Sequence, residues 1–238
     1  MSIVLTFIII GFIGGFFSGA VGFGGAMIIL PVISYFYGIE VAVPVSTIAQ
    51  IMSNLSKMSF GLKEIQWKKV GLFLILAAPL TALGAFGFAF APKQILTRIL
   101  CVFLIIFALI KISGKWELPK NKKTVVIGGG LTGLINGLLG VSGPLSSAVF
   151  LTLGLSPVAY IASEATAAAS MHFIKCIMYG SLNLINYEIL LNGLCIGSAM
   201  VVGNYLAIKT IKNIKKKLYQ KIVAIFMISV SIWLFISA

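Results

Sequence analysis

Two glycine-rich runs decide how this chain reads: Gly15-Phe16-Phe17-Ser18-Gly19-Ala20-Val21-Gly22-Phe23-Gly24-Gly25 and Gly133-Leu134-Ile135-Asn136-Gly137-Leu138-Leu139-Gly140-Val141-Ser142-Gly143. They lie 118 residues apart, so that Gly15, Gly19, Gly22 and Gly25 superpose on Gly133, Gly137, Gly140 and Gly143. Each run follows an apolar segment and opens another. A repeat that interrupts hydrophobic helices at matching places is the sequence mark of a transporter's substrate site.

The surrounding composition sets the solvent. Mean hydropathy is +1.11; 60% of residues are hydrophobic and only 10% charged. Apolar stretches run over 2–23, 24–37, 41–62, 67–91, 93–112, 124–140, 143–155, 157–181, 185–208 and 217–237. Several exceed the ~20 residues that cross a bilayer. The longest polar stretch, from Ile112 to Lys123, leaves no room for a folded soluble domain. Cys101, Cys176 and Cys195 are scattered through apolar runs, which supports neither a disulfide framework nor a zinc site. Residues 2–23 lack a basic leader and read as a retained span.

The expected fold is an all-α integral membrane protein of two inverted repeats. Each repeat is a glycine-broken helical hairpin, re-entrant or short, followed by three transmembrane helices. Residues 1–113 form the first repeat, 114–123 a cytoplasmic linker, and 124–238 the second repeat, all within one membrane domain. The inversion follows from parity: a hairpin returns the chain to its starting side, and three further spans leave it on the other.

The net charge of +13 suggests nucleic acid at first sight, but the lysines sit in short loops with no recognition element among them. Under the inverted topology one face holds Lys57, Lys63, Lys68, Lys69, Lys111, Lys115, Lys120, Lys122, Lys123, Lys209, Lys212, Lys215, Lys216, Lys217 and Lys221. The other holds Lys93 and Arg98, with Lys175 inside the opposite end of a span. Cytoplasmic loops are the lysine-rich ones, which predicts a multi-pass inner-membrane protein with both termini extracytoplasmic.

Chemistry is expected at the hairpin tips. Gly24-Gly25-Ala26 and Ser142-Gly143-Pro144-Leu145 each open a second arm. Pro144 suits the start of a helix, and Ser142 or Gly143 suits its cap. Helices that begin in mid-membrane present unpaired N–H groups and positive dipole ends. Two such ends make an anion site from the backbone of Gly24, Gly25, Ala26, Ser142, Gly143 and Leu145. The competing reading is that the glycines only permit close helix packing.

The span after each hairpin carries a polar stripe. Ser46, Gln50, Asn54 and Lys57 share one helical face, with Thr47 and Ser53 beside it. The offset of 118 carries Ser46, Gln50, Asn54 and Lys57 onto Glu164, Ala168, His172 and Lys175. Intramembrane polar residues face a bundle interior or cavity, so these are pathway and gating candidates. For Lys57 and Lys175 snorkelling to the interface is the alternative. His172, the sole histidine, reads as a proton carrier or a hydrogen-bonded structural residue. Depth places Lys57 and Glu164 together, which predicts a direct ion pair between the repeats and leaves Lys175 free.

Two other functions compete. Unwound carbonyls with Glu164 could pass a cation or metal, although the chain has five glutamates and no aspartate. Ser142 within Gly140-Val141-Ser142-Gly143, with His172 as base, would be an intramembrane serine protease; the first repeat keeps the loop without the dyad, having Gly24 and Asn54 there.

The segment GFFSGAVGFGGAMIILPVISYFYG, followed by Pro44-Val45-Ser46-Thr47, resembles the TauE/SafE sulfite exporter family, and GLINGLLGVSGPLSSAVFLTLGLSP resembles its second repeat. The second repeat departs from the pattern, with Ala162-Ser163-Glu164 where hydroxyl residues are expected and Val149 where the first repeat has Pro31. The resemblance implies membrane transport, as an exporter, of a small sulfur-containing anion such as sulfite or a sulfonate. It implies no enzyme activity. No catalytic residue, cofactor or metal is expected. The partners are that inorganic or organosulfur anion and membrane lipids, not nucleic acid. The oligomeric state stays open, a homodimer included.

Overall fold

The computed structural model describes residues 3–113 and 118–210, together with 228, 229, 232, 235 and 236. The expected span 217–237 falls almost wholly outside the described residues, as do Lys115, Lys212, Lys215, Lys216, Lys217 and Lys221.

The described elements are helical: α1 (Ile3–Val21), α2 (Gly25–Tyr37), α3 (Ile39–Ser59), a 3-10 turn at Leu62–Glu64, α4 (Trp67–Phe90), α5 (Lys93–Ser113), α6 (Lys122–Leu139), α7 (Gly143–Leu151), α8 (Pro157–Ser181) and α9 (Tyr187–Thr210). Three of them, α4, α5 and α9, are long and apolar enough to cross a membrane. Helices α3 and α8 are as long, but their polar stripes lower their hydropathy. That polarity is turned inward. Ser46, Gln50, Asn54, Lys57, Glu164, His172 and Lys175 are all buried. Meanwhile Ile75, Leu83, Phe86 and Phe90 of α4, Ile99 and Ile106 of α5, Ile127 and Leu131 of α6, and Leu190 and Val202 of α9 are exposed. An apolar exterior around a polar interior is the distribution a bilayer selects.

Both glycine runs break a helix where expected. Helix α1 ends at Val21 and α6 at Leu139; the next residues, Gly22 (φ 91°) and Gly140 (φ 78°), are left-handed. Their amides close the last turn, Gly22 N–H donating to the Ser18 carbonyl and Gly140 N–H to the Asn136 carbonyl, both at 2.8 Å. Only glycine takes this conformation without strain. The second arms then start at Gly25 and Gly143. Ser142 occupies the cap of α7 without a side-chain cap bond. Helix α2 has 13 residues and α7 only 9, roughly 20 and 14 Å at 1.5 Å per residue, so neither crosses a core of ~30 Å. Helix α7 ends at Leu151, before the apolar run 143–155 does, and the chain turns at Gly154 (φ 60°). The breaks themselves are buried at Phe23, Val141 and Ser142, where irregular backbone is tolerated.

Glycine also sets the tightest packing. Helix α6 lies against α4 with Gly129, Gly133 and Gly137 facing the carbonyls of Phe73, Ala77 and Thr81. Helix α1 lies against α9 with Gly11, Gly15 and Gly19 facing Ile196, Met200 and Asn204. These backbones approach so closely that a Cβ on Gly133 would sit 2.8 Å from the Ala77 Cα, the small-residue contact typical of membrane helices. Helices α3 and α8 cross between these two pairs, each also packed on one long helix, α9 and α4 respectively.

Candidate functional site

The two helix breaks meet at the centre of the bundle. A Cβ built on Gly143 would lie 3.2 Å from both the Gly24 nitrogen and the Phe23 Cβ. Beside this junction is a cavity lined by Ser18, Phe23, Gly24, Ala26, Met27, Gln50, Asn54, Lys57, Ser142, Gly143, Glu164 and Ala168. It measures about 10 Å³, the space of one water, so in this conformation it is closed to any four-atom oxyanion.

Eight residues expected at the site thus come together around one cavity: Gly24, Ala26, Gln50, Asn54, Lys57, Ser142, Gly143 and Glu164. Gly25 lies just outside it, and a Cβ there would be 3.2 Å from Gln50 Nε2. Leu145 instead lines an outer groove with Ile127 and Leu131. Thr47 donates to the Val43 carbonyl at 2.8 Å within its own helix. Ser46, His172 and Lys175 are buried but do not line the cavity.

The charged residues are placed by partners that the sequence did not announce. Lys57 Nζ donates to Ser18 Oγ and to the Gly22 carbonyl, both at 3.0 Å. It is 2% exposed, so it points to the broken end of α1 and does not snorkel. Glu164 Oε1 accepts from Ser146 Oγ at 2.5 Å, while Oε2 has no partner. The expected direct ion pair between Lys57 and Glu164 is therefore absent: each is bonded within its own neighbourhood, although both line the same cavity. The α1 break supplies the reason. Its orphan carbonyl competes for the ammonium, and a hydrogen bond to a cation is worth more than one between neutral groups. Lys175, fully buried, also does not snorkel; its Nζ lies 5.5 Å from the Tyr179 ring centroid and has no hydrogen-bond partner.

Ser18 and Ser146 are the residues that sequence reasoning missed. Both are buried hydroxyls one helical turn from a break, and an intramembrane charge needs such a neighbour. Among the described residues no hydrogen bond joins Ser142 to His172, whose Nδ1 has no partner, so a Ser–His dyad is not assembled. No group of three or more His, Cys, Asp or Glu able to hold a metal occurs among the described residues.

Apolar outside, polar inside, with paired helix breaks at its centre, the molecule is a multi-span helical membrane protein. Residues 7–234 match the family described as sulfite exporter TauE/SafE, and the chain belongs to that family of transporters, not enzymes. No curated protein and no solved structure matches it.

Proposed function

We propose that this chain exports a small sulfur-containing oxyanion, sulfite or a sulfonate, across the inner membrane through the junction of its two helix breaks. The observation that carries the proposal is the shared cavity. Gly24 and Ala26 of one break, Ser142 and Gly143 of the other, and the ammonium of Lys57 border the same space. The first intrahelical bond at the start of α2 is Met27 N–H to the Gly24 carbonyl at 3.1 Å, which leaves the Gly25 and Ala26 amides available to an anion. Gln50 Nε2 is buried without a partner at the same end. The small cavity makes this an occluded state, and the breaks must part to load substrate. With ~100 mV, negative inside, each expelled negative charge gains ~2.3 kcal/mol. Export therefore needs no coupling ion.

An inverted pair of repeats is part of this proposal. The ends of α1 and α6, the starts of α2 and α7, and the starts of α3 and α8 are each 118 residues apart: 21 and 139, 25 and 143, 39 and 157. Exchanging the halves exchanges the packing of α1 on α9 with that of α6 on α4, and of α3 on α9 with that of α8 on α4. The linker would then be cytoplasmic and both termini extracytoplasmic.

Proteoliposomes loaded with sulfite, thiosulfate, sulfate or taurine test the function. Efflux of at least one of these should rise on imposing an inside-negative potential and should be lost in Gly25→Leu. Efflux of none of them, with cations passing instead, would refute it and favour Glu164 as a cation ligand.

A further inference from the structure

The cavity beside Lys57 has a counterpart of which the proposed function uses only Gln50. Adding or subtracting 118 carries Ser18, Asn54, Lys57 and Glu164 of its lining onto Asn136, His172, Lys175 and Ser46, and carries Ala168 onto Gln50, which itself lines the first cavity. Nine buried side-chain polar atoms among the described residues lack a hydrogen-bond partner. Six of them fall in this set: Ser46 Oγ, Gln50 Nε2, both Asn136 amide atoms, His172 Nδ1 and Lys175 Nζ. Buried polar atoms are normally satisfied, so six orphans at symmetry-related positions mark a place built for something that is not protein.

The local contacts support the placement. Tyr179 Oη donates to the Gly137 carbonyl at 2.9 Å, holding α8 one turn beyond Lys175 against α6 one residue beyond Asn136. Both Lys175 and Lys57 are within electrostatic reach of His172, and Gln50 Nε2 faces Gly25. Helix α3, carrying Ser46 and Gln50, packs directly on α8.

The two places differ in chemistry. Lys57 is held by Ser18 Oγ and the Gly22 carbonyl, with Glu164 across the cavity. At the counterpart Ser46 stands where Glu164 would be, Asn136 stands where Ser18 would be, and the ammonium lies over the Tyr179 ring with no hydrogen-bond partner. Donors predominate: an ammonium, two amide NH₂ groups, a hydroxyl and an imidazole. We infer that Asn136, His172, Lys175 and Ser46, with Gln50 shared between the two places, form a second, carboxylate-free anion subsite adjoining the cavity beside Lys57. It deepens the export proposal and rests on it for the pairing of the two repeats and for the identity of the anion. An oxyanion there accepts from the donors together and leaves the Asn136 Oδ1 acceptor to water, whereas beside Lys57 it meets a carboxylate.

The test uses the full chain purified in lipid nanodiscs, with sulfite, sulfate, thiosulfate, phosphate and chloride each titrated as probe against the melting temperature. Lys175→Met and Asn136→Leu should each weaken the apparent affinity for the stabilising anion about tenfold or more, as expected for one hydrogen bond to a charged group. Lys175→Arg should stay within about threefold of the parent. Should Lys175→Met not fold, Asn136→Leu alone decides. If phosphate or chloride stabilises and no sulfur oxyanion does, yet both variants lose the effect, the subsite stands and the sulfur substrate falls. If both variants bind and export sulfite as the parent does, the subsite falls and the export proposal stands. Absence of stabilisation by every probe, or stabilisation unchanged in both variants, overturns the subsite and makes the cluster one of structural water.

Discussion

Alanine substitutions at two equivalent-looking glycines separate a transport site from a packing face. A Cβ on Gly133 would meet the Ala77 carbonyl oxygen and lie 2.8 Å from its Cα. These are backbone atoms of a packed helix, so α4 and α6 must move apart. Overpacking costs up to ~3 kcal/mol, and alanine returns ~1 kcal/mol in helix propensity, a net loss of about 2 kcal/mol. For a chain of this size that lowers the melting temperature by roughly 4–8 °C. A Cβ on Gly143 would instead lie 3.2 Å from the Gly24 nitrogen and the Phe23 Cβ. There a few tenths of an ångström of movement suffices, and the propensity gain offsets it to near zero. The methyl group, however, stands between the two helix breaks beside a cavity of about 10 Å³. Gly143→Ala should therefore melt within ~2 °C of the parent while anion efflux falls at least about tenfold, equal to ~1.4 kcal/mol. Fluorescence-detected melting and efflux from proteoliposomes measure the two effects on the same preparation. Gly143→Ala with parental efflux, or with as large a melting loss as Gly133→Ala, would refute the reasoning and make the break a packing feature.

Reporter fusions should place the 114–123 segment in the cytoplasm and residue 238 outside, since the inverted topology expected from the sequence assigns fifteen lysines to the side of that segment; a cytoplasmic C-terminus would break the inverted topology. Lys57→Met and Ser18→Ala should be non-additive in stability, with a coupling of ~1 kcal/mol or more for the 3.0 Å bond between them, read from melting of the double mutant; additive losses would show that the bond contributes nothing. By contrast, Lys57→Met with Glu164→Gln should couple more weakly than Lys57→Met with Ser18→Ala, because no hydrogen bond joins the first pair. The same melting cycles check this, and a stronger coupling to Glu164 would restore the direct ion pair.

Much of this was readable because glycine spacing has a backbone consequence. The offset of 118 located both breaks within the two glycine runs, since left-handed positions such as Gly22 and Gly140 tolerate little else. The polar stripe of α3 was readable for a related reason: Ser46, Gln50, Asn54 and Lys57 fall on one face at helical spacing, and all are buried. Periodicity says which face turns inward but not what it meets there. Lys57 could be assigned a depth, yet its acceptors, Ser18 Oγ and the Gly22 carbonyl, lie 39 and 35 residues earlier in the chain. The carbonyl is backbone and leaves no mark in the residue code. Hydropathy alone does not mark the end of α7: the apolar run continues to 155, whereas the helix stops at Leu151 ahead of a turn at Gly154.

The glycine-faced pairs α1–α9 and α4–α6 bear on the order in which the chain assembles. Each pair joins a helix from before the central linker to one from after it. While the first five helices enter the membrane during synthesis, the glycine face of α1 has no mate, because α9 begins 184 residues later, at Tyr187. Helix α4 waits likewise for α6. The early chain must hold these notched faces open to lipid or to passing helices until the ribosome has released the second half. Assembly is then less a sequence of finished spans than a single late clasping of two waiting halves, and a chain arrested after residue 113 should be inserted but left without its tightest contacts.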